Sequence, residues 1–141
     1  MKTFSSTITL ILIATVSFAQ SAENLKESIQ DHYKAIHAGD SETTMSHHLK
    51  EFTLFPYNGS ALWESGWQET YEKMGASYKF PNLNATMKHF SAQIYDNVGV
   101  ATFYLDGTYD DVSSLTRVTA VWVWTKGVWK EAHHHESELK N

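Results

Sequence analysis

Histidine is the side chain whose unperturbed charge changes near neutral pH, and it also serves readily as a metal ligand. Three stand in a row here, His133-His134-His135, with Glu136 next to them. What they can do depends on which way each one faces. The run closes the stretch Thr116–Ser137, TRVTAVWVWTKGVWKEAHHHES. That stretch reads as two strands joined by a tight turn at Lys126–Gly127, because Val118, Val121, Trp122, Val123, Trp124, Val128 and Trp129 are β-branched or aromatic. Strand alternation puts Trp129, Glu131, His133 and His135 on one face and Val128, Lys130, Ala132, His134 and Glu136 on the other. With Trp129 inside, His133 and His135 are inside too, as acid/base groups or ligand contacts. The plainer alternative has one of them as a hydrogen-bonded core histidine and the others solvated. No metal is expected, since no third ligand stands at a defined spacing: His47-His48 is not an HExxH pair, and His37 ends a helix.

Aromatic residues supply the walls of a candidate pocket. Tyr33 lies on the apolar stripe of the first helix, Tyr57, Trp63 and Trp67 fall at or under a rim, Tyr104 sits mid-strand, and Trp122 shares a face with Trp124. Most of these suit a core equally well. As a set they bias a cavity toward apolar or aromatic ligands, because Tyr and Trp combine a flat apolar body with one polar handle. Arg117, the sole arginine, opens a strand; it is a candidate anion-holding group, or a surface residue.

These groups need elements to hold them. Leu25, Ile29, Tyr33 and Ile36 recur every three or four residues and predict a helix capped by Asn24 and stopped at Gly39. Asp40 or Ser41 caps a shorter helix through about Leu49, with Met45, His48 and Leu49 inward. Phe52–Phe55 is a short strand ended by Pro56. Trp67, Tyr71, Met74 and Tyr78 predict a third helix. After about Lys88 the period becomes two: Phe90, Ala92 and Ile94 face one way, Asp96-Asn97 turns the chain, and Val98–Tyr109 is a strand. Asp110–Ser114 reads as a polar loop. Helices followed by antiparallel strands define an α+β chain. A curved antiparallel sheet, covered on its concave face by about three N-terminal helices, makes a cone whose mouth suits a small apolar ligand.

At 141 residues a single domain is expected. With 11 basic against 16 acidic residues and no basic cluster, nucleic acid and anionic membrane surfaces are poor partners. The absence of cysteine removes disulfides, thiolate metal sites and lipoprotein anchoring. Residues 1–19 have the layout of a signal peptide: Lys2, an apolar run from Ile8 to Val16 too short to span a bilayer, then Ser17-Phe18-Ala19. Export to a periplasm or beyond follows, with a mature domain over 20–141. Asn58-Gly59-Ser60 and Asn84-Ala85-Thr86 match the N-glycosylation pattern, which matters only in a eukaryotic source.

Three stretches carry a resemblance. The first helix ends in Ala35-Ile36-His37-Ala38-Gly39-Asp40; Val98-Gly99-Val100-Ala101-Thr102-Phe103 alternates small and hydrophobic residues; and Gly127-Val128-Trp129-Lys130 leads to His133-His134-His135-Glu136-Ser137. Across the mature chain the sequence resembles the nuclear transport factor 2-like superfamily, in its SnoaL-like branch. It is also similar to the association (hub) domain of calcium/calmodulin-dependent kinases. The resemblance implies the cystatin-like cone. It implies function less firmly, since these members include isomerases, dehydratases, binders and assembly domains. Isomerase-like members carry an inward Asp where this chain has Phe52–Tyr57 and no acid. Dehydratase-type members pair His with Asp and Tyr; His135 and Tyr33 can fill two of those roles. The hub's pocket arginines fall at Ala120 and Tyr104, leaving Arg117 one register step away.

The leading expectation is an exported cone protein that binds a small apolar or weakly acidic molecule without a cofactor. One rival is a lyase or isomerase using His135 as base and Tyr33 as donor. The other is a homodimeric assembly module, favoured by Trp and Val on both faces of the hairpin.

Overall fold

A computed structural model describes residues 20–57, 59, 62 and 80–139. Helix α1 (Ala22–His37) is capped by Ser21, not Asn24: the Ser21 hydroxyl oxygen accepts from the backbone N–H of Asn24. Its stripe is as expected, with Leu25 and Ile29 fully buried and Tyr33 and Ile36 half-buried. Gly39, at φ 67°, lets the chain leave the helix. Helix α2 (Ser41–Ser46) starts at an Asp40 cap and ends early. Strand β1 (His48–Phe55) therefore begins where the sequence suggested helix. The helix expected over Trp67–Tyr78 lies outside the described residues.

Four further strands follow: β2 (Leu83–Tyr95), β3 (Val98–Tyr109), β4 (Val112–Thr125) and β5 (Val128–Glu138). The two-residue turns at Asp96-Asn97, Asp110-Asp111 and Lys126-Gly127 set the three hairpins. Left-handed backbone at both residues of the last two suits the right-handed twist of paired strands. The region read as a loop over Asp110–Ser114 is thus a turn followed directly by strand. The sheet order is β1-β5-β4-β3-β2. All pairs are antiparallel except β1 with β5, which is parallel, so the curved sheet is mixed. The backbone N–H of Glu131 donates to the His47 carbonyl at 2.7 Å and pins β5 beside the start of β1.

The core lies between α1 and the concave face, where Leu25 and Ile29 meet Ala101, Phe103, Val118, Ala120, Trp122 and Trp129. Two bulges decide which side chains reach it. In β2 the register slips between Lys88 and Ser91, at His89 with φ 52°. Leu83, Ala85 and Met87 therefore face inward before it, and Phe90, Ala92 and Ile94 after it. In β5 the register slips between the partners of Val121 and Trp122, which are His133 and Glu131. Ala132 is the extra residue, and past it alternation changes phase.

Candidate functional site

The second bulge corrects the reading of the histidine run. Trp129 and Glu131 point inward as expected, but after Ala132 the inward residues are His134 and Glu136. His133 and His135 face the outer side of the sheet. There the Phe55 ring contacts both, and His133 Nδ1 lies 2.7 Å from Thr53 Oγ1. Tyr104 and Arg117 are register partners on the same outer face, with Arg117 donating to Ser137 Oγ. Trp122 is wholly buried behind the site, its ring 6.0 Å from that of His32. Tyr33 and Tyr57 do line the cavity. Trp63 and Trp67 lie outside the described residues.

The cavity has a volume of about 280 Å³. Ile36, Phe52, Leu54, Phe80 and Leu83 supply apolar wall, and Tyr57 stacks on Tyr109 at 4.5 Å. Its floor is polar and drawn from four elements: His32 and Tyr33 from α1, His48 from β1, Tyr109 from β3, and Glu131, His134 and Glu136 from β5. His134 bridges two carboxylates, with Nδ1 2.8 Å from Glu131 Oε1 and Nε2 3.3 Å from Glu136 Oε1. The Tyr109 hydroxyl donates to the same Glu136 oxygen at 2.7 Å. The other Glu131 oxygen, Oε2, lies 3.3 Å from His48 Nε2 and 3.9 Å from His32 Nε2, with no hydrogen bond.

Burial and charge act in opposite directions here. Burial disfavours the His134 cation, yet the charges of Glu131 and Glu136 outweigh it and raise its pKa to about 10. Burial likewise favours a neutral Glu131, but the His134 charge and hydrogen bond hold it well below the usual carboxylate range. His32 is governed by burial, which lowers its pKa to about 3 despite Glu131, so it stays neutral. Burial, and next the charge of Glu136, push the Tyr33 hydroxyl upward. That hydroxyl also has no hydrogen-bond partner. The floor is thus a charge arrangement with four buried polar atoms, His32 Nδ1, Tyr33 Oη, His48 Nδ1 and Glu131 Oε2, left without hydrogen-bond partners.

Part of this set has a sequence signal. His48 is expected inward, and His32 stands three residues after Ile29 and seven after Leu25, a position on the buried stripe that the sequence reading leaves unused. Glu131 was placed on the face of Trp129. His134 and Glu136 were hidden because nothing in KEAHHHES marks Ala132 as a bulge, and Tyr109 because its strand end was read as running into a loop.

A helix-covered, curved sheet with a cavity between the first helix and the closing strand defines a cone-shaped fold. The chain belongs to the SnoaL-like domain family, whose pattern matches residues 25–140. Its fold is shared with the hub of CaMKII from S. rosetta (20% identity, TM-score 0.68, covering 86% of this chain and 98% of the hub). It is shared as well with an NTF2-like protein from Cytophaga hutchinsonii (13%, TM-score 0.68, 86% and 100%). A cystatin-like protein from Caulobacter vibrioides is similar too (16%, TM-score 0.67, 86% and 92%). No curated protein matches the chain.

Proposed function

We propose that this protein binds a small, largely apolar, uncharged molecule in the cone. The observation that carries the reading is the cavity itself, whose apolar walls close over a floor of hydrogen-bonding groups. No Lys or Arg is among its described lining residues. Arg117, the expected anion holder, is exposed on the far face, so a weakly acidic ligand loses its support. An uncharged ligand leaves the Glu131–His134–Glu136 arrangement undisturbed and gains hydrogen bonds from Tyr33 Oη. A thermal-shift panel of uncharged one- and two-ring compounds, each paired with its carboxylate analogue, tests this. A ligand at 100 times its Kd adds about 2.7 kcal/mol to stability. Uncharged compounds are expected to raise Tm by several degrees and the carboxylates not to. Equal shifts, or none in the uncharged set, would sink the reading.

A second reading is favoured by the unpartnered Tyr33 hydroxyl facing a carboxylate-bearing floor. In a lyase or isomerase, Tyr33 would donate a proton while a carboxylate of the floor accepts one. His135, the base suggested by the sequence, is on the wrong side of the sheet. The two readings part on whether a bound compound is converted to product. Export through residues 1–19 and pairing of two chains through the outer sheet face belong to the same proposal.

A further inference from the structure

The geometry points to a divalent transition-metal site, suited to Zn²⁺, formed by His32, His48 and Glu131 at the floor of the cavity. One imidazole nitrogen from each histidine and a Glu131 oxygen all lie within 4.8 Å of one another. In a tetrahedral zinc site with bonds of ~2.0–2.1 Å, ligand atoms stand about 3.4 Å apart. The contact of 3.3 Å between His48 Nε2 and Glu131 Oε2 already fits. The 3.9 Å between His32 Nε2 and the same oxygen is longer than that spacing, so the His32 ring would have to draw nearer on binding the ion.

The second observation is the Glu131 oxygen itself. Glu131 is 1% exposed, and Oε2 is left without a hydrogen bond inside the protein. An unsatisfied carboxylate oxygen costs free energy unless something takes it up. Its twin Oε1 is held by His134 Nδ1 at 2.8 Å, the kind of outer hydrogen bond that orients a carboxylate ligand on a metal. Two imidazoles and one carboxylate are donors of the hardness that zinc, iron(II) and nickel accept. All three residues line the cavity, so coordination positions left over would open onto it.

The histidine run misled the sequence reading here. The three ligands come from three separate elements, α1, β1 and β5, and none of them is in the run.

The test uses the full chain made without a histidine tag, stripped with EDTA, then titrated with Zn²⁺ by calorimetry and with Co²⁺ by visible absorption. One Zn²⁺ per chain is expected, with the strong visible bands of four- or five-coordinate Co²⁺. Outer hydrogen-bond partners alone change metal affinity ~10–100-fold, so loss of a ligand in His48→Gln should cost at least about 100-fold. His135→Gln, on the outer face, should leave affinity unchanged. Failure of the wild-type chain to bind one ion, or equal affinity in His48→Gln, overturns the proposal. Should His48→Gln not fold, X-ray absorption of the zinc-loaded wild-type chain decides. A shell with two imidazoles and a carboxylate supports the site, whereas an imidazole-only shell would assign the ion to the surface run and overturn it. Ligand binding in the apolar cavity is read separately by the compound panel, so either result can fail without the other.

Discussion

Tyr33 carries a buried hydroxyl with no partner on a helix otherwise packed by Leu25 and Ile29. A group in that state costs ~1–3 kcal/mol relative to one that is satisfied. Tyr33→Phe keeps the ring, with its edge contact to Phe103 at 5.9 Å, and removes only the oxygen. The variant is expected to melt at the same temperature or higher while losing affinity for the compounds found in the panel. If the protein turns such a compound over, its rate should fall ~10²–10⁴-fold, the usual worth of a positioned proton donor. A clear drop in Tm would instead mean that Tyr33 is held by bonds the fold needs. At this scale the sequence was most informative on α1: a period of three to four residues fixes which side chains share a stripe, and His32 and Tyr33 straddle its edge. It was least informative for Glu131, because a carboxylate on a strand face looks the same whether it meets water or two imidazoles.

Strand β5 shows why the element scale was harder to read. Period-two counting assumes an unbroken pleat, and one extra residue inverts every assignment beyond it. Ala132 is that residue. It offers no glycine or proline to mark the break, and the slip only has meaning against the strands on either side, β4 and β1. In β2 the same device left a trace, since Met87 and Lys88 fell out of phase with the alternation that starts at Phe90. The phase change in β5 can be tested by paired substitutions. His134→Ala removes the partner of the buried Glu131 carboxylate, and breaking a buried ion pair from one side typically costs ~3–5 kcal/mol. His135→Ala, exposed on the outer face, is expected to stay within about 0.5 kcal/mol of wild type. Urea denaturation of the two variants measures both. The reverse ranking would restore strict alternation and place His135 inside.

For the whole molecule, helices first and strands after correctly indicated an α+β cone, and the turn residues placed Asp96-Asn97 and Lys126-Gly127 correctly. Parallel pairing of β1 with β5 was not legible, because residues far apart in the chain meet there and no local pattern records it. The outer face exposes Phe55, Tyr104 and Leu115, each a little over a third accessible. Large apolar groups on one sheet face suit a partner surface. Light scattering of the recovered protein is expected to give twice the chain mass, and a monomer mass would remove the dimer. An intact mass beginning at Gln20 is expected for protein recovered outside the cytoplasm; retention of Met1 there would contradict the leader.

The junction of β1 and β5 also has a kinetic consequence. Thr53 and His133 are 80 residues apart in the chain, and His32 must meet Glu131 across a still longer separation. Loop-closure entropy is spent before such contacts give anything back, so topologies of this kind fold slowly and settle their distant pairings late. The floor of the cavity therefore does not exist in a partly folded chain, and whatever binds there has nothing to recognise until the sheet has closed. A bound occupant would act as a latch on the finished molecule, slowing its opening while leaving the rate of its formation nearly untouched.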